Sequence, residues 1–169
     1  MAVDRRYASI VAIFASVLFA ALAIAASGLI SLFADREVLT ETDAGPLVAP
    51  IMFVVATAAL FAQLVAAATS PRRRGIGVAR AMVIGAVVYL AFLLSGAIIY
   101  ALGSGRPLRG ILFLAANAIG PFAAAVGLLA ALVALLYLIL MSYRQSGGAS
   151  RTPRWPWEDR DDRDREERD

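Results

Sequence analysis

Four stretches of this 169-residue chain contain no charged side chain: residues 7–34, 44–71, 81–105 and 110–143. They run to 28, 28, 25 and 34 residues, so 115 of the 169 residues are free of charge and the other 54 hold all sixteen basic and thirteen acidic groups. A soluble domain of this size spreads its charges along the solvent-facing sides of its helices and strands. Confinement of every charge to short intervening segments excludes a soluble globular fold. It marks an integral membrane protein.

A hydrocarbon core about 30 Å thick takes roughly 20 apolar residues as helix, and each run is long enough. None alternates in the two-residue rhythm of a transmembrane strand, which argues against a barrel. The expected fold is all-α, with transmembrane helices at about 7–33, 47–69, 79–103 and 112–143. Short connections make consecutive helices antiparallel neighbours, in an up-down-up-down four-helix bundle. Residues 144–169 form a charged cytoplasmic tail, expected to be disordered.

Arginine placement sets the direction of insertion. Arg5 and Arg6, then Arg72, Arg73, Arg74 and Arg80, then Arg144, Arg151 and Arg154 fall on one side of the four spans. Only Arg36, Arg106 and Arg109 fall on the other. Both termini are therefore expected in the cytoplasm. The start also has signal-peptide features: Arg5 and Arg6, an apolar stretch, and small residues at Ala21, Ala23 and Ala25. The apolar run continues to Phe33, well past a typical signal core, so the first helix is expected to be retained.

Composition narrows the chemistry. With no cysteine there are no disulfides, thiolate metal sites or thiol nucleophiles. With no histidine, the commonest metal ligand and the usual near-neutral base are missing. Every basic residue is arginine, which removes Schiff-base and phosphate-loop lysine chemistry. No cofactor and no metal is implied, and the chain reads as non-enzymatic.

No carboxylate or basic group lies within any of the four charge-free runs, whereas pumps, voltage sensors and proton-coupled transporters carry such groups inside the membrane. The strongest polar residues there are Gln63, near the inner end of helix 2, and Asn117, toward the outer end of helix 4. Ser27, Thr57 and Ser95 are expected as outer-half neighbours of Asn117. The first reading of these groups is hydrogen-bond glue between helices; the second is a substrate or ion site. Gly120-Pro121 predicts a kink in helix 4, because proline removes a backbone donor and clashes with the preceding turn. The residues before it are expected to lie along the outer interface. Small residues at four-residue spacing, Ala58–Ala62–Ala66 on helix 2 and Gly120–Ala124, Ala123–Gly127 and Gly127–Ala131 on helix 4, predict close helix approach or dimerisation.

On the cytoplasmic side, Arg72-Arg73-Arg74 is the densest basic cluster near the membrane. It suits anchoring by the positive-inside rule and contact with anionic lipid head groups. It has none of the interleaved aromatic residues of a nucleic-acid surface. In the tail, a Gly/Ser linker at residues 145–150 leads to Arg154-Trp155-Pro156-Trp157. The last twelve residues hold eight acids and four arginines. Trp155 and Trp157 suit an interfacial anchor or a short protein-docking motif.

The segments Asp43-Ala44-Gly45-Pro46-Leu47-Val48 and Arg154-Trp155-Pro156-Trp157-Glu158 resemble the small, uncharacterised four-span membrane proteins of actinobacteria. That resemblance implies a bacterial plasma membrane and carries no activity or functional residue with it. The resulting expectation is a multi-pass membrane component whose partners are lipids, another protein or further copies of itself. The alternative is a small permease or an oligomeric channel subunit, with its site near Asn117 and Pro121.

Overall fold

The computed structural model describes residues 5–34, 47–69 and 77–145. They form five helices: α1 (Arg5–Ala34), α2 (Val48–Thr69), α3 (Gly77–Ser104), α4 (Pro107–Ala118) and α5 (Pro121–Gln145). There is no strand among the described residues. α1, α2, α3 and α5 are long and apolar enough to cross a membrane, and the chain is a multi-pass membrane protein. In hydrocarbon each backbone N–H and C=O must be satisfied within its own segment, and a helix does this without a partner.

Four helices close a ring. α3 packs against α2 and α5, and α1 packs against the same two; the diagonal pair α2 and α5 barely touch. Each of α1 and α2 buries one narrow stripe. On α2 it runs Met52, Ala56, Leu60, Leu64 and Ala67; on α1 it runs Ala8, Ala12, Ser16, Phe19, Ala23 and Ser27. These spacings of three and four are those of a single helix face. α3 buries a wider arc, because it serves three neighbours, and includes Ala81, Ile84, Gly85, Val88, Phe92, Leu93, Gly96 and Ala97.

Close approach of α3 and α5 rests on absent side chains. A Cβ on Gly85 would lie 2.7 Å from both the Ala131 Cβ and the Gly127 carbonyl oxygen. The spacing Gly127–Ala131 on α5 thus serves helix packing, as the sequence predicts. Ala58, Ala62 and Ala66 are exposed and make no such approach among the described helices; the inward stripe of α2 is Met52, Ala56, Leu60, Leu64 and Ala67. α2 has small apolar residues on more than one face, so a four-residue spacing alone does not say which face meets a neighbour.

The fourth span departs furthest from expectation. A single helix over 112–143 is replaced by two, α4 and α5, divided at Ile119 and Gly120. α3 ends at Gly105, whose φ of +64° is the left-handed value that favours glycine. Pro107 then occupies the first turn of α4, where its missing N–H costs nothing. From there α4 does not lie along the outer surface. It runs back along α3: Gly110 sits against Ala97 and Ala101, and Phe113 against Gly96. Rings on Tyr100 and Phe113 meet at 5.5 Å. The twelve residues of α4, about 18 Å of helix, cover the C-terminal half of α3.

Candidate functional site

The break between α4 and α5 brings together two of the residues singled out by the sequence. Asn117 stands in the last turn of α4 and Pro121 is the first residue of α5. Proline cannot donate to the Asn117 carbonyl, so the Gly120 N–H takes that oxygen instead, at 3.0 Å. The ladder restarts where the Ala124 N–H donates to the Gly120 carbonyl at 3.2 Å. The predicted kink is therefore a full interruption, with Ile119 at φ −95° and ψ 6°. Ile119 is 95% exposed.

Depth follows from the neighbours. Gly127 lies beside Tyr89, so Pro121, six residues earlier on the antiparallel α5, stands level with about residue 95 of α3. That is about 13 Å from the outer end of α3 at Ser104. Asn117 lies likewise away from the Ser104 end of α3, because α4 folds back along α3 before α5 begins. Gln63 is half-buried on α2. Met52 and Phe113 both meet Gly96; counting inward from that shared level, Asn117 is four residues on and Gln63 eleven. About 10 Å along the bundle axis separates them, in keeping with the expectation that they sit at different levels.

The polar side chains mostly turn back on their own helices. Asn117 Nδ2 donates to the Phe113 carbonyl at 2.9 Å. Ser27 donates to Ala23, Thr57 to Phe53 and Ser95 to Phe92, each at 2.8 Å. Ser27, Thr57 and Ser95 therefore donate within their own helices. Two hydrogen bonds that join helices come from tyrosines, which were not among the residues singled out from the sequence. Tyr89 on α3 donates to the carbonyl of Ala118, the last residue of α4. Tyr137 on α5 donates to the Ala8 carbonyl on α1 at 3.3 Å. A tyrosine in a span carries an apolar ring with one polar tip, so it can cross to a neighbouring backbone while its body packs. That amphipathic character was the available signal.

A lateral groove runs between α1 and α2, about 1100 Å³ in volume and almost wholly apolar. Its walls include Ile13, Val17 and Gly28 from α1 and Phe53, Ala58 and Phe61 from α2. Arg72, Arg73, Arg74, Trp155 and Trp157 lie outside the described residues, as do all thirteen acidic residues.

Residues 1–165 match the model of a family described as a family of unknown function, DUF6121. No curated protein and no solved structure matches the chain.

Proposed function

We propose, for a chain that belongs to the DUF6121 family of unknown function, the role of a non-enzymatic structural or interaction component of the actinobacterial plasma membrane. Both termini face the cytoplasm. Arg72, Arg73 and Arg74 contact anionic lipid head groups, and the tail motif containing Trp155 and Trp157 docks a protein partner or anchors at the interface. The observation that carries this reading is the closed, dry centre of the bundle. Phe19, Leu60, Leu64 and Val88 are fully buried there. Among the described residues the buried hydroxyls are those of Ser16, Ser27 and Tyr137, and each bonds a backbone carbonyl. Such a centre offers a solute or a proton no chain of polar groups to follow.

One observation favours the alternative of a small permease or channel subunit. The fourth span is interrupted at Asn117–Pro121 within the membrane, and interrupted helices build the binding sites of many transporters. Reconstitution into proteoliposomes separates the two readings. The component reading expects no solute or ion flux above that of empty vesicles. Solute-specific flux that Asn117→Leu abolishes overturns it. In the component reading, removal of residues 146–169 also releases a co-purifying partner that the full chain retains.

A further inference from the structure

We infer that the groove between α1 and α2 is a binding site for one anionic phospholipid, its acyl chains in the arginine-bearing half of the groove and its phosphate at Arg6. This rests on the membrane-component reading above and names the lipid class and place that the reading leaves open.

Three observations carry it. The first is shape. From Ile13 to Ser31 the groove follows eighteen residues of α1, about 27 Å, close to the full hydrocarbon thickness of about 30 Å. The half nearest Arg6 is thus about 13 Å long, close to the depth of one leaflet's acyl chains.

The second is the chemistry of the walls. Ser16, Ser27, Ser31 and Thr57 line the groove. The hydroxyls of Ser16, Ser27 and Thr57 donate to carbonyls of their own helices at 2.8 Å, and Ser31 too has a partner. A polar solute finds no offered donor there, whereas hydrocarbon meets a surface that behaves as apolar.

The third is charge at the two ends. Arg6 is exposed and stands seven residues before Ile13, two helical turns away on the same face of α1. Its long side chain can run along the helix and keep its guanidinium at the head-group level. Arg5 precedes it, and Arg72–Arg74 begin three residues after α2 ends at Thr69. The opposite end leads into the sequence between α1 and α2, which carries Asp35, Glu37, Glu41 and Asp43. An anionic head group is attracted to one end and repelled at the other, which selects the leaflet. The same asymmetry weighs against a second copy as the occupant. A two-fold axis along the membrane normal would set the arginine ends of both copies side by side, whereas an anionic lipid neutralises them.

The test uses the full chain in a mild detergent, with native mass spectrometry after incubation with phosphatidylglycerol or phosphatidylcholine of identical acyl chains. Retention of one phosphatidylglycerol in preference to phosphatidylcholine is expected. Arg6→Gln should lower that preference about five-fold, the factor corresponding to ~1 kcal/mol for one basic residue near an anionic surface. Val17→Trp should abolish retention; Val17 is 62% exposed, so the added bulk enters the groove and not the core. Gly28→Trp fills the other half of the groove, where nothing lies within 4 Å of the new Cβ, and should leave retention intact. Phosphatidylglycerol binding that survives Val17→Trp overturns the site while leaving anionic-lipid contact at Arg72–Arg74 standing. No preference for phosphatidylglycerol at all overturns both. A wild-type dimer that Val17→Trp converts to monomer assigns the groove to a second copy and overturns the lipid site.

Discussion

Gly85→Ala tests the contact on which the α3–α5 seam depends. The new Cβ would lie 2.7 Å from the Ala131 Cβ, 2.7 Å from the Gly127 carbonyl oxygen and 3.1 Å from the Ala131 Cα. None of these belongs to a flexible side chain, so the strain cannot be relieved by a rotamer change. Ordinary contact begins near 3.4 Å, and the helices must separate by about 0.7 Å, the difference between the two distances. A gap of that size forfeits about a quarter to a half of each atom pair's attraction, itself ~0.1–0.2 kcal/mol. With about forty pairs across the seam, the number a single buried leucine makes, the loss is about 1–4 kcal/mol, centred near 2. That agrees with the usual cost of overpacking, about 1–3 kcal/mol. Alanine's better helix preference returns up to about 1 kcal/mol. The net expectation is a destabilisation of about 0.5–2 kcal/mol. Gly28→Ala is the matched control: nothing lies within 4 Å of its new Cβ, so only the helix preference acts and stability holds or rises. Unfolding in mixed micelles with increasing SDS, followed by far-ultraviolet circular dichroism, measures both variants against the parent. Gly85→Ala as stable as the parent, or Gly28→Ala as damaging as Gly85→Ala, would refute the close-approach argument.

Further perturbations address the tyrosine bonds and the turn after α3. Tyr89→Phe leaves the Ala118 carbonyl, at the end of α4, without its donor, at an expected cost of about 1–2 kcal/mol and with faster amide hydrogen exchange around residues 117–122. Tyr137→Phe should cost less, about 0.5 kcal/mol, because the Ala8 carbonyl sits inside α1 and keeps its partner in the helix ladder; equal losses in the two variants would contradict this. Gly105→Ala should cost about 1–2 kcal/mol through its φ of +64° alone, although open space surrounds the added atom; an unchanged SDS midpoint would show that the turn relaxes.

The four spans were legible because exclusion of charge from hydrocarbon acts on every residue of a span at once. A boundary such as Arg80 or Arg109 is visible without any knowledge of neighbours. Pro121 likewise announced a disturbance, since the loss of a donor is local. What it could not announce was the inward course of α4. That course depends on Gly110 meeting Ala97 and on Phe113 meeting Gly96, pairings set by the turn at Gly105 rather than by the composition of α4. The polar residues misled in a similar way. Ser27, Thr57 and Ser95 stood out as hydrogen-bonding groups, yet a short hydroxyl reaches its own preceding turn more easily than another helix. Tyr89 and Tyr137, which do reach across, looked like ordinary apolar residues of a span.

The placement of α4 also bears on how the molecule is put together as it is made. At twelve residues, α4 is too short to be inserted as a crossing of its own. Its main contacts, on α3, lie in chain already synthesised when residue 118 emerges. The hairpin of α3 and α4 can therefore settle before α5 exists. α5 then arrives last and contacts both α3 and α1. Until that moment α1 is held to the rest chiefly through α2. Of the four spans, the last to leave the ribosome is thus the one that closes the ring.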